Sequence, residues 1–157
     1  MENVKIRKAK KEDLKYIKEI FSTGIVEESK IQYPKMPRKE IMESLDEINK
    51  IFKNFKKELN SKNYLWIIAE EKNKVIGFSS ASIKDKKFGK LNMNYVTKEY
   101  RRKGIGKNFV EKRIKWLKKR GIKKIYANAF IKNKASNKNL NKFGFQPVSF
   151  NLEKIIK

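Results

Sequence analysis

The run Arg101-Arg102-Lys103-Gly104-Ile105-Gly106-Lys107 gathers two glycines and four basic side chains within seven residues. A β-type stretch, Leu91–Thr97, precedes it and a helical period follows, so the glycines fall where a strand passes into a helix. Glycine lets backbone approach a ligand closely. The first N–H groups of a helix have no acceptor within it, and the helix dipole favours negative charge there. The chemistry implied is anion binding, most naturally of phosphate, although a well-charged turn alone reads the same way. Two common nucleotide motifs do not fit. The third glycine of the dinucleotide fingerprint is replaced by Phe109, and a P-loop would need Gly at 101 and Ser or Thr at 108, where Arg and Asn stand.

Composition removes other chemistries. The 157 residues contain no His and no Cys. Serine and cysteine nucleophiles activated by histidine, the usual zinc sites and disulfides are therefore excluded. The three aspartates, Asp13, Asp46 and Asp85, are scattered, which argues against two-metal phosphoryl chemistry, so no metal is expected. The net charge is +24, from 35 Lys and 6 Arg against 17 acidic residues. A lysine-rich, arginine-poor surface reads first as solvated charge, because Arg makes the bidentate contacts of sequence-specific readout. Nucleic-acid binding is expected to be nonspecific at most. No run reaches 18 apolar residues, and the charged start of the chain has no apolar signal core. A cytoplasmic protein of one domain, residues 1–157, is expected.

The elements that must position the turn follow from periodicity. Val4–Ala9 reads as a short strand. Leu14, Ile17, Ile20 and Phe21 form a helical stripe, with Gly24 as its expected stop and residues 25–36 as a loop. From Pro37 onward, Ile41, Leu45, Ile48, Phe52, Phe55 and Leu59 predict a second helix whose stripe faces a core. Tyr64–Ala69 and Val75–Ile83 read as a hairpin. Leu91–Thr97 is a third hairpinned strand, its Leu91, Met93 and Tyr95 on one face and Asn92 and Asn94 on the other. A helix over Arg101–Arg120 stops at Gly121. Then come a strand Ile125–Phe130, a polar helix Asn133–Phe143 and an extended Phe145–Ile156. The order is βααβββαβαβ. The strands flanking the Arg101–Arg120 helix form a βαβ unit and hence a parallel pair. The fold class is α/β: a mixed sheet with helices on both faces.

Arg101-x-x-Gly104-x-Gly106 after Tyr95-Val96 resembles the acetyl-CoA signature of the GNAT superfamily of N-acetyltransferases. Three further stretches are similar in the right order. They are Ile6–Ala9 with Glu12-Asp13-Leu14, Trp66–Glu70 with Val75–Phe78, and Asn133 with Lys142-Phe143-Gly144-Phe145. The resemblance implies transfer of an acetyl group from acetyl-CoA to a primary amine by direct attack, with no metal. It implies that the backbone of Arg102, Lys103, Gly104, Ile105, Gly106 and Lys107 holds the CoA pyrophosphate, beside Arg101. It implies that Asn94, Tyr95 and Val96 pair with pantetheine, and that the main-chain N–H near Tyr95 faces the thioester oxygen. Asn133 matches an Asn that touches the cofactor in many members.

Two positions depart from relatives that acetylate ribosomal-protein N-termini. Their fifth-strand Glu base is matched by Asn128, and their Tyr general acid by Leu140. Water ordered by Asn92 or Asn128 could serve as base, as could Tyr33, Glu27, Glu28 or Glu70. Glu27, Glu28 and Tyr33 are also candidates for binding the acceptor. Two other readings stay open: a non-catalytic acyl-CoA-binding module, because the two catalytic positions are lost, and a basic nucleic-acid binder. About a dozen residues follow Gly144, so a second subunit could complete the site in a homodimer.

Overall fold

Leu65, Ile67 and Ala69 enter one buried cluster and Trp66 and Ile68 another, so the strand that holds them is covered on both faces. That alternation fixes a layered architecture of a sheet between helices. The computed structural model describes residues 4–37, 39–41 and 48–149. Its elements are β1 (Lys5–Lys8), α1 (Leu14–Gln32), α2 (Ile48–Phe52), α3 (Phe55–Leu59), β2 (Tyr64–Glu71), β3 (Lys74–Ile83), β4 (Phe88–Val96), α4 (Ile105–Lys118), β5 (Lys124–Ala127) and α5 (Lys134–Asn141). The five strands lie in the order β1-β2-β3-β4-β5. The first three junctions are antiparallel, and β4 and β5 are parallel. The expected mixed sheet is present.

α4 covers one face through Ile105, Phe109, Val110 and Leu117. α1 covers the other through Ile17, Ile20 and Phe21, joined by Phe52 and Phe55. The second expected helix is not continuous. It breaks at Lys53-Asn54 into α2 and α3, residues 39–41 are helical, and Leu45 lies outside the described residues. Of its stripe residues, Ile41, Phe52 and Phe55 are buried and Leu59 is half-buried against the same cluster as Phe52 and Phe55. The β2–β3 hairpin turns on Lys72 (φ 48°) and Asn73 (φ 64°), the double positive φ of a two-residue turn whose twist matches the strands.

Three sequence expectations are corrected here. α1 does not stop at Gly24 but runs on to Gln32, so Glu27 and Glu28 are helical rather than in a loop. Gly24 is there for space: a Cβ built on it would lie 2.2 Å from Cδ1 of Tyr95. Secondly, β4 does not keep one apolar face. Ser79 pairs with Asn94 but Ala81 pairs with Leu91, so β4 holds one more residue than β3 over that interval. The bulge flips the alternation. Leu91 packs on the α4 side, whereas Met93 and Tyr95 pack on the α1 side. Thirdly, β5 ends at Ala127, before Asn128, and residues 145–149 form no strand. The rest of the expected last strand, residues 150–156, lies outside the described residues.

At the start of the chain, Arg7 grips Asp13 with two hydrogen bonds, at 2.7 and 3.0 Å, and Glu70 with one at 2.9 Å. The Lys10 N–H also donates to Asp13, at 2.7 Å. Burial opposes ionisation of Asp13, yet Arg7 and the Lys10 N–H outweigh it and hold the carboxyl below its ordinary value.

Candidate active site

Parallel pairing of β4 with β5 runs from Phe88↔Lys124 to Leu91↔Ala127 and ends there. β4 continues to Val96, paired through its far end with β3 alone among the described strands. The β3 ladder decides which groups face this open edge. Thr97 N–H donates to Ile76 O at 2.9 Å, which makes that couple a hydrogen-bonded pair. Pairs alternate along an antiparallel ladder, so Phe78–Tyr95 is also hydrogen-bonded, and Gly77–Val96 and Ser79–Asn94 are not. The Tyr95 N–H therefore points to β3. The outward N–H groups are those of Asn94 and Val96. This corrects the expectation that the Tyr95 amide faces a thioester oxygen, and the one-residue bulge is the reason.

At the bulge the carbonyls of Ser80 and Met93 turn inward without the regular ladder. Arg113 of α4 donates Nη1 to both, at 3.2 Å each. Ser79 Oγ donates to the same Met93 carbonyl at 2.7 Å. The Arg113 side chain is 1% exposed, and no carboxylate pairs with it among the described residues. Arg113 is not among the residues singled out by the sequence motifs. The signal was available: it stands four residues after Phe109 and four before Leu117, on the apolar stripe of its helix.

The basic turn lies beyond the open edge. Arg102 (φ 60°) and Gly104 (φ 79°) both adopt left-handed backbone, and Gly104 is the N-cap residue immediately before α4. Ile105, 2% exposed, anchors the first turn in the core. Gly106 has no such reason to be glycine. A Cβ there would come no closer than 3.9 Å to Asn139 Nδ2 and 4.0 Å to Asn94 Nδ2. Bare backbone at a helix start, with first-turn N–H groups that have no intrahelical acceptor, is a cradle that a side chain would fill. A phosphate fits these residues. The four cations are not equivalent. Arg102, Lys103 and Lys107 are exposed, Lys103 lying over the Tyr100 ring and Lys107 3.5 Å from Glu111. Arg101 instead turns back, giving Nε to Val96 O at 2.9 Å and pairing with Glu27.

Glu28 joins three elements. Its carboxylate accepts from the Tyr95 hydroxyl of β4 at 2.9 Å and from Asn133 Nδ2 at 2.8 Å. Asn133 Oδ1 accepts from Ser136 N–H, capping α5. Asn133 thus uses both ends of its side chain within the protein. Burial first, then the Glu28 carboxylate, pushes the Tyr95 phenol well above its ordinary pKa, so it remains a donor. No cationic side chain pairs with Glu28 among the described residues. The other candidates are spread out. Asn92 bonds Ser82 at 3.2 Å, Asn128 is exposed beyond β5, and Tyr33 is half-buried just past α1. Among the described residues no group of three acidic side chains could hold a metal. No described helix is long and apolar enough to cross a membrane.

Residues 25–145 match the family model described as acetyltransferase (GNAT) family. No curated protein sequence matches the chain. Solved structures share its fold. The PaiA N-acetyltransferase of Thermoplasma acidophilum, in complex with coenzyme A, is 23% identical, with a TM-score of 0.75 over 94% of this chain and 92% of that one. A predicted acetyltransferase of Clostridium acetobutylicum, with acetyl-CoA, is 22% identical, with a TM-score of 0.75 over 97% and 96%. AAC(6')-Iy, in complex with the bisubstrate analogue CoA-S-monomethyl-acetylneamine, is 17% identical, with a TM-score of 0.61 over 98% of each chain.

Proposed function

The chain belongs to the GNAT family of acetyltransferases, and from that premise we propose that it transfers the acetyl group of acetyl-CoA to a primary amine. The observation behind this reading is the open β4 edge leading to the bare, left-handed start of α4. In this reading the backbone of Arg102–Lys107 holds the CoA pyrophosphate at the helix N-terminus. The Asn94 C=O and the Val96 N–H pair with pantetheine as an added strand would. The Asn94 N–H is the donor to the thioester oxygen as negative charge develops on it.

Bound acetyl-CoA supplies an activated acyl carbon and a thiolate leaving group. The chain's residues supply orientation and charge. Transfer forms an N–C bond and breaks the C–S bond; an ammonium group loses one proton before attack and a second as the amide forms, and the departed thiolate can take up one of the two. Among the described residues Glu28 is half-buried with two neutral donors and no cation, which supports it as the carboxylate that receives an ammonium group. Glu27, tied to Arg101, is the second. With Leu140 in the family's acid position, the thiolate leaves unassisted, which a thiol with a pKa of about 8.5 tolerates.

The test is incubation with acetyl-CoA labelled in the acetyl group and a panel of amines: polyamines, aminoglycosides and peptides with free N-termini. Label appearing on an amine nitrogen supports the proposal. CoA binding without transfer to any amine would favour the non-catalytic acyl-CoA-binding reading. Binding to nucleic acid alone would overturn both.

A further inference from the structure

The geometry points to Arg113 as a positioning residue for acetyl transfer, one that holds and polarises the Met93–Asn94 peptide so that the Asn94 N–H is the donor to the acetyl oxygen. The inference rests on the acetyl-CoA reading of β4 given above. A trans peptide sets its C=O and N–H in opposite directions. The Met93 carbonyl is drawn inward by Arg113 Nη1 at 3.2 Å and Ser79 Oγ at 2.7 Å. The Asn94 N–H of the same peptide therefore points out to the open edge, as the β3 ladder independently requires.

Met93 O does not need Arg113 to be satisfied, because Ser79 already gives it a short hydrogen bond; Arg113 is its second donor and also serves Ser80 O. Neighbours on the same helix face, Phe109, Val110 and Leu117, are apolar, and a Leu or Met at 113 would suit them. A guanidinium buried without a carboxylate is costly to fold around. Burial lowers its pKa to about 9, which still leaves it protonated at neutral pH. Two donors on one carbonyl strengthen the N–H across the peptide. A positive charge behind that peptide, in a low-dielectric interior, also favours negative charge in front of it. Arg113 touches neither substrate nor reacting atoms; it acts through Met93 and Asn94.

The experiment is infrared difference spectroscopy of acetyl-CoA carrying 13C at the acetyl carbonyl, bound to full-length wild type, Arg113→Met, Arg113→Lys and Ser79→Ala. CoA affinity by calorimetry and steady-state transfer accompany it. In wild type the labelled carbonyl band moves to lower frequency on binding. Arg113→Met is expected to lose most of that displacement and at least ~10-fold in kcat, with the Kd for CoA within about 2-fold. Arg113→Lys, which keeps the charge, recovers part of both. Ser79→Ala shifts both measures the same way by less, and the double variant is less than additive because the two residues share one carbonyl. A wild-type band position and kcat in Arg113→Met would overturn the proposal, as would a loss of CoA affinity that matches the loss of kcat. If Arg113→Met does not fold, an unchanged band in Ser79→Ala overturns it. Wild-type protein that does not bind acetyl-CoA sinks the functional reading itself. A displaced band in wild type that Arg113→Met retains sinks only Arg113.

Discussion

The Tyr95 ring fills the space that a side chain at position 24 would need, its Cδ1 lying 2.2 Å from where a Cβ on Gly24 would be. Tyr95 is held there by Phe21, edge-on at 5.4 Å, and by Phe78, stacked at 5.6 Å. α1 and the β4 edge are thereby fitted to one another through a glycine in mid-helix. Gly24→Ala gains helix propensity of about 1 kcal/mol but forces the ring aside. The overpacking is expected to dominate, for a net loss of roughly 1–2 kcal/mol in urea unfolding. Any transfer activity should fall with it, because the Tyr95–Glu28 hydrogen bond is displaced. Unchanged stability would mean that the ring relocates freely.

Gly104 and Gly106 should behave differently. Gly104 sits at φ 79°, so Gly104→Val strains the turn whether or not ligand is present. Gly106 has open space around it, so Gly106→Ala is expected to raise the stability of the free protein by up to ~1 kcal/mol. The same change should weaken CoA by at least ~10-fold, because the methyl group enters the cradle. Thermal unfolding with and without CoA reads both effects, and a Gly106→Ala protein that binds CoA normally rules out the cradle.

Glu28→Gln keeps an acceptor for the Tyr95 hydroxyl but removes the charge. A cationic acceptor should then bind about 10-fold more weakly, seen as a raised KM with a smaller change in kcat. Turnover should climb with pH as the free amine population grows, since a lysine-like amine titrates near ~10.4 and an N-terminus near ~8. A plateau at pH 6–7 that Glu28→Gln abolishes would instead identify Glu28 as the base.

Asp13 gives a stability prediction with a definite sign. Its folded pKa lies below the ordinary 3.8. Its contribution is therefore present above pH ~4 and lost as pH falls through the lower folded value. Asp13→Asn should cost roughly 2–3 kcal/mol at pH 7 and much less near pH 2. Urea midpoints at the two pH values measure the difference, and equal losses at both would show that charge is not what matters.

The basic strand-to-helix turn was legible because its information is local: glycines, cations and the change of period all lie within a few residues. The pairing of β2 through β5 was legible for the same reason, through short turns and one helical crossover, but the place of β1 beside β2 was not. What escaped the sequence depends on distant partners. Gly24 reads as a helix stop unless one knows that Tyr95, far along the chain, lies against it. The β4 alternation reads as regular because a bulge is set by register with β3, not by composition. Nothing near Asn133 in the sequence says that its amide meets Glu28, which α1 brings to it. Arg113 stood in plain view on an apolar stripe, but nothing local says which carbonyls it meets.

The edge of β4 from Asn92 to Val96 has a consequence for the protein as a material. A strand with its outer side unmatched is a template for any other extended chain, and such edges seed aggregation. Here a guanidinium lies across it: Arg101 occupies the Val96 carbonyl, while the chain's +24 charge keeps copies apart. Salt weakens that repulsion without covering the edge. The ligand-free protein is therefore most prone to self-association in concentrated salt, and a molecule that lies along β4 protects it for the same reason that it binds.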